Sequence, residues 1–169
     1  TNPSISSVSN SNFMIVWMRI GQDIIGGNDW GIYGQSFTSS GVKIGNDFRV
    51  NTYIIDNQMN PSIESFANDN YIVTWQSNNQ DGSYNGIYGQ ILDSSGNKIG
   101  NEFRINTFTT NSQQYPSVSS LLNTNFVVVW QSINQDGSGY GIFGNIYQND
   151  GSVVGFNTCP LNCQSCDNK

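Results

Sequence analysis

Apolar residues in this chain fall in short runs of β-formers rather than in helical stripes. FMIVW (13–17), YIVTW (71–75) and FVVVW (126–130) are almost wholly β-branched or aromatic. Runs of this kind, bounded by Gly, Asn, Asp and Ser, read as strands. No stretch keeps a 3.6-residue apolar period for about ten residues, so almost no helix is expected. In the third run Phe126, Val128 and Trp130 point to one face, Val127 and Val129 to the other. A strand apolar on both faces belongs inside a stack of sheets, covered on each side.

The pattern occurs three times. Trp17, Trp75 and Trp130 lie 58 and 55 residues apart, and GIYG (31–34), GIYG (86–89) and GIFG (141–144) recur every 55 residues. Each copy has a short Pro-Ser-Ile/Val stretch at 3–5, 61–63 or 116–118, then the Trp run. A GIYGQ-type run follows, and then FRVNT (48–52), FRINT (103–107) or a shortened FNT (156–158). TSSG (38–41), DSSG (93–96) and NDGS (149–152) supply tight turns between the last two segments. A period near 55 marks stacked supersecondary units. The expected fold is all-β: three tandem four-stranded antiparallel meanders, β-propeller-blade-like, over about 1–55, 56–110 and 111–158. A β-trefoil or β-prism with threefold pseudosymmetry is the alternative. Three blades do not close a propeller, whose minimum is about four. Other copies of the chain or neighbouring repeats are therefore the expected partners. Gly34, Gly89 and Gly144 fall in mid-strand, where the Trp of the preceding strand is expected to lie across the bare backbone.

Composition narrows the class. Charged residues are only 11% and the net charge is −6. The six basic residues, Arg19, Lys43, Arg49, Lys98, Arg104 and Lys169, are scattered, so no stripe exists to neutralise phosphates. Nucleic acid is excluded as a partner, and no apolar run reaches the roughly 20 residues of a membrane-inserting helix. Cys159, Cys163 and Cys166 cluster at the end, with no His to complete a zinc site. Residues 159–169 read as the start of a cysteine-rich disulfide module, and the chain as a mature or excised piece of something longer. Every Asn-x-Ser/Thr site is blocked: Asn2 and Asn60 are each followed by Pro. Disulfides and blocked glycosylation sites together point to an extracellular or cell-surface location.

The absence of His rules out Ser-His-Asp and Cys-His nucleophile arrangements. A carboxylate pair remains available for glycoside chemistry, Asp81 and Asp136 with Glu64 or Glu102, but these Asp residues recur by repeat and no catalytic residue is assigned. The Gln-Asp-Gly-Ser loops hold the candidate ligand residues Asp23, Asp81 and Asp136. As oxygen donors on Gly-rich loops they are also the candidate calcium ligands, calcium being the one cofactor considered. The competing reading is that each Asp holds its own turn. Trp30, Tyr84 and Tyr140 stand at the loop ends, where rings and amides suit a glycan. Lys43 with Asp47, and Lys98 with Glu102, read as a solvated edge or as a contact between successive units.

The series PSV…NFVVVWQS, NQDGSGYGIFG and DSSGNKIGNEFRINT resembles repeats of very large secreted adhesin-type, RTX-associated bacterial proteins. The first copy departs, with Met18-Arg19 for Gln-Ser and Ile24-Ile25 for Gly-Ser. The tail CPLNCQSC (159–166) is similar to the opening of a furin-like or growth-factor-receptor cysteine-rich repeat. The resemblance implies an extracellular structural or adhesive segment, a building block of a coat, fibre or adhesin, and no enzyme. The alternative expectation is a lectin-like module using the matched loops.

Overall fold

A computed structural model describes residues 1–20 and 29–154. Eleven strands form three antiparallel sheets. Sheet I contains β1 (Ser4–Ser7), β2 (Phe13–Ile20), β3 (Trp30–Phe37) and β4 (Lys43–Arg49). Sheet II contains β5 (Gln58–Ser65), β6 (Tyr71–Asn78), β7 (Asn85–Leu92) and β8 (Lys98–Arg104). Sheet III contains β9 (Gln113–Ser120), β10 (Phe126–Ile133) and β11 (Tyr140–Tyr147). Each sheet is a simple meander in chain order. Among the described residues the only helical turn is a 3-10 turn at Leu122–Thr124. The fold is therefore all-β, as the periodicity predicts. Sheet III shows three strands plus a Tyr147–Val153 bridge, and the expected fourth segment (156–158) and the cysteines lie outside the described residues.

The expected turns form where Gly allows a left-handed φ. Gly41, Gly96 and Gly151 have φ of +81°, +94° and +85°. Each donates its N–H back to residue i−3: Thr38 at 2.9 Å, Asp93 at 3.0 Å and Gln148 at 2.9 Å.

The sheets stack with one sense. One face of sheet I (Met14, Val16, Met18, Ile32) packs on the tryptophan face of sheet II (Tyr71, Val73, Trp75, Leu92). The opposite face of sheet II (Ile72, Ile87, Ile91) packs on the tryptophan face of sheet III (Phe126, Val128, Trp130, Tyr147). Sheet II is thus covered on both sides, and Trp75 is wholly buried. Burial of a large apolar side chain contributes about 1.5–3 kcal/mol, so these two layers dominate stability. The first strands of the sheets also touch directly. Ile63 N–H donates to Ser4 Oγ and Val118 N–H to Ser62 Oγ, each at 3.3 Å.

The mid-strand glycines correct one expectation. Trp75 stands opposite Tyr88, whereas Gly89 stands opposite Thr74 and faces the other layer. A Cβ at Gly89 would meet Ile105 at 3.1 Å, Ile72 at 3.3 Å and Phe103 at 3.3 Å. The fourth-strand Phe, not the Trp, fills the space a side chain would need.

Buried amides fix the crossovers between sheets. Asn51 Oδ1 accepts from Ile32 N–H at 2.8 Å, and its amide donates to Tyr53 O at 2.6 Å and Gln58 Oε1 at 3.1 Å. Asn106 repeats the arrangement with Ile87, Phe108 and Gln113. The first of these braces holds the segment 52–57 against sheet II, which positions the site described next.

Candidate functional site

A cleft of about 560 Å³ opens where the sheet I crossover meets the outer strand of sheet II. Thr52, Tyr53, Gln80, Gln90, Lys98 and Glu102 line it, with Gly100 and Asn101. Glu102 on β8 is the anchor. Its Oε2 accepts from Thr52 N–H at 2.6 Å, and its Oε1 accepts from Gln80 Nε2 at 2.6 Å. Lys98, four residues earlier on the strand, donates to Thr52 Oγ1 at 3.0 Å. Burial lowers the Lys98 ammonium pKa, Glu102 opposes that shift, and Arg49 adds to it. Gln90 is fully buried; its amide donates to Ile91 O at 3.0 Å and Ile99 O at 3.2 Å, while its Oε1 has no hydrogen-bond partner. Gln35 of sheet I repeats the arrangement, its amide donating to Ser36 O and Ile44 O and its Oε1 likewise buried without a partner.

Tyr88 joins this cleft to the Gln-Asp-Gly-Ser loop. Its hydroxyl pKa is pushed up to about 12, first by burial and then by the Asp81 carboxylate. Arg104 opposes the shift, and Glu102 and Tyr53 add to it. The fields of Asp81 and Glu102 therefore converge on one buried phenol. Asp81 Oδ1 accepts from Ser83 N–H at 3.2 Å, whereas Oδ2 is buried without a partner. Among the described residues neither sheet I nor sheet III repeats the whole cluster, Asp23 of sheet I lying outside them. Sheet I places Tyr33 under the Arg19 guanidinium, 3.7 Å from the ring centroid, with Arg19 paired to Asp47 at 2.6 Å. Sheet III has Phe143 in place of Tyr88 and so lacks the hydroxyl.

The other residues singled out in the sequence are dispersed. Asp136 accepts from Ser138 N–H at 3.2 Å in its own turn, and among the described residues no hydrogen bond or ion pair joins it to Asp81. Asp23 lies outside the described residues. Glu64 sits on β5 and accepts from Ser120 Oγ at 2.9 Å, away from the cleft lining. Tyr84 and Tyr140 are 66% and 60% exposed, whereas Trp30 is half-buried against the core between sheets I and II. Among the described residues no group of three or more acidic or thiol side chains is arranged to hold a metal ion. Lys98 and Glu102, read as a solvated edge or an inter-unit contact, hold the neighbouring unit through hydrogen bonds to Thr52.

The structure adds Tyr53, Gln80, Tyr88, Gln90 and Arg104 to the site. The sequence held one signal for them: Tyr in GIYG but Phe in GIFG, a break in the repeat at the position that matters. A separate polar feature recurs ahead of the Pro-Ser stretches. Asn2, Asn60 and Tyr115 each precede a Pro and adopt φ of 49°, 55° and 55°. That conformation is costly for a non-Gly residue. Asn2 Nδ2 donates to Asn60 Oδ1 at 2.8 Å, and Asn60 Nδ2 to Gln76 Oε1 at 2.9 Å. Tyr115 N–H reaches the same Gln76 oxygen at 3.2 Å, so a polar chain links all three sheets.

No family model matches the chain, and no curated protein matches it in sequence. Solved structures do match in fold. The endo-arabinase from Bacteroides thetaiotaomicron aligns with a TM-score of 0.58 over 95% of this chain, at 13% identity. The α-L-arabinofuranosidase from Lactobacillus brevis aligns with a TM-score of 0.58 over 95% of this chain, at 10% identity. The chain spans 61% and 54% of those two chains, less than two thirds of either. The shared property is the fold. It nonetheless corrects the expectation of a structural or adhesive surface segment, or a lectin-like one, and the expectation that the chain is no enzyme. Its neighbours are glycoside hydrolases. Among the described residues the repeat is uneven at the cleft: Tyr88 feels both Asp81 and Glu102, whereas sheet III has Phe143 at that position.

Proposed function

We propose that the chain forms three blades of a β-propeller protein that hydrolyses glycosidic bonds, with polymers of arabinose-like pentoses as its substrate class. The observation that carries the reading is the fold, shared over 95% of the chain with two arabinan-degrading enzymes. Glycoside cleavage needs two carboxyl groups, one to handle the leaving oxygen's proton and one to meet the developing positive charge or activate water. Glu102 and Asp81 are the pair assigned here. The Thr52 and Gln80 donors hold the Glu102 carboxylate in position. Asp81 carries the oxygen without a partner. Lys98 and Tyr53 line the same cleft and supply a donor and a ring face for a sugar.

The test is release of reducing ends from linear arabinan and from a chromogenic arabinofuranoside, using the purified protein. Turnover that falls at least about a hundredfold in Glu102→Gln and in Asp81→Asn, with unchanged near-ultraviolet circular dichroism, supports the assignment. Wild-type protein inert on a panel of arabinan, xylan and their aryl glycosides sinks it.

A further inference from the structure

The two ends of the sheet stack carry unlike faces, and each matches a face already buried inside the molecule. Sheet I turns its tryptophan face outward: Phe13, Ile15, Trp17 and Phe37 are only half-buried, and Phe13 and Phe37 stack at 5.2 Å. A hollow of about 450 Å³ lies over Ile15, Trp17, Gln35 and Phe37. The corresponding face of sheet II is the one pressed against sheet I. Sheet III turns its opposite face outward, with Val129 38% and Ile142 41% exposed. In sheet I the matching positions, Val16 and Ile32, are fully buried against sheet II.

The polar link is left open in the same sense. Ser4 and Ser62 each take the N–H of the next sheet's first strand. Ser117 holds the same position in sheet III and is exposed, and Ile5, 61% exposed, holds the receiving position in sheet I. One chain therefore carries both halves of a contact it already makes twice.

We propose that a second copy of this chain docks head to tail, the Trp17 face of one copy on the Val129–Ile142 face of the other. The contact continues the two internal interfaces, with Ser117 Oγ of one copy accepting from Ile5 N–H of the other. It is heterologous, using two different patches, not one patch against itself. Two copies bring six sheets side by side, within the range of about four to eight found in closed propellers. Contiguous apolar faces of this kind on a soluble chain mark an interaction site.

Sedimentation velocity of the purified chain gives the test. Wild type is expected to shift with concentration from 18.6 kDa toward twice that mass. Trp17→Lys alone and Ile142→Lys alone are each expected to stay monomeric, because each lacks one half of the contact. An equimolar mixture of the two variants is expected to recover a dimer, since the intact Ile142 face of one meets the intact Trp17 face of the other. Circular dichroism identical to wild type shows that both variants fold. Wild type that remains monomeric at the highest soluble concentration overturns the proposal and assigns the two faces to further units of a longer polypeptide. A mixture that stays monomeric, or one variant that dimerises alone, overturns it as well.

Discussion

The Asp81 carboxylate lies directly over Gly86: a Cβ at position 86 would stand 2.7 Å from Asp81 Oδ2. Sheet III repeats the relationship, with a Cβ at Gly141 placed 2.9 Å from Asp136 Oδ2. The first glycine of GIYG is thus the seat of the loop aspartate. Gly86→Ala should displace the carboxylate and destabilise the chain by about 1–2 kcal/mol, the usual scale for overpacking. Asp81→Ala should cost about 1 kcal/mol through loss of the turn bond to Ser83. The double variant should cost less than the sum, because the clash disappears with the carboxylate. Urea unfolding of the four proteins measures this, and strict additivity would rule out the seat.

Gly89→Val should be more damaging, at about 2–4 kcal/mol. The added methyls would run into the side-chain ends of Ile72, Ile105 and Phe103 in the middle layer, each of which would have to shift. Shortening the neighbour, as Phe103→Ala in the Gly89→Val background, should return part of the loss. Thermal unfolding decides it, and a Gly89→Val protein as stable as wild type would show the position to be slack.

These glycines also show how far the residues alone lead. The runs around Trp17, Trp75 and Trp130 announce strands, and the recurring Gly-containing turns announce a meander, because both are local properties. Which face meets which sheet is not local. With apolar residues on both sides of each run, the pattern permits either layer: it suggests Trp75 over Gly89, whereas Gly89 faces Phe103. The site was legible only as separate letters. Glu102 and Asp81 lie 21 residues apart on a strand and a loop, and they meet through Tyr88 and Gln80. Lys98 looked like a solvated edge because its partner, Thr52, belongs to the preceding unit.

Three tyrosines make stability fall in alkali. Tyr71 and Tyr147 are pushed up to about 12 by burial, as Tyr88 is, with the Asp69 charge adding at Tyr71 and the Asn145 hydrogen bond opposing at Tyr147. Their unfolded value is about 10. The folded state therefore holds its phenolic protons more tightly, and the gain is fully present below pH 10. It is lost as pH rises from about 10 to 12, by roughly 2 kcal/mol per tyrosine. Tyr88→Phe removes one of the three contributions. It should match wild type at pH 7 and exceed it near pH 11.5. Melting curves at the two pH values test the sign, and a variant less stable than wild type at high pH refutes it.

Glu102 is asked to do two things, and its substitutions separate them. As a latch it accepts from Thr52 N–H and from Gln80 across the junction of two sheets. Glu102→Ala removes two hydrogen bonds to a carboxylate, the Thr52 one open to water, at a cost of about 1–2 kcal/mol. Glu102→Gln keeps one carbonyl oxygen for Thr52 and should cost less than half as much, yet it removes the charge that glycoside chemistry requires. Lys98→Ala gives up only the hydroxyl contact to Thr52 and should cost about 0.5–1 kcal/mol. The expected order of urea midpoints is wild type, Glu102→Gln with Lys98→Ala, then Glu102→Ala. The expected order of turnover differs, with Glu102→Gln as inert as Glu102→Ala, while Lys98→Ala keeps kcat and raises KM, as loss of a sugar donor requires. If turnover instead followed the midpoints, Glu102 would be a structural latch alone, and the pairing with Asp81 would lose its chemical meaning.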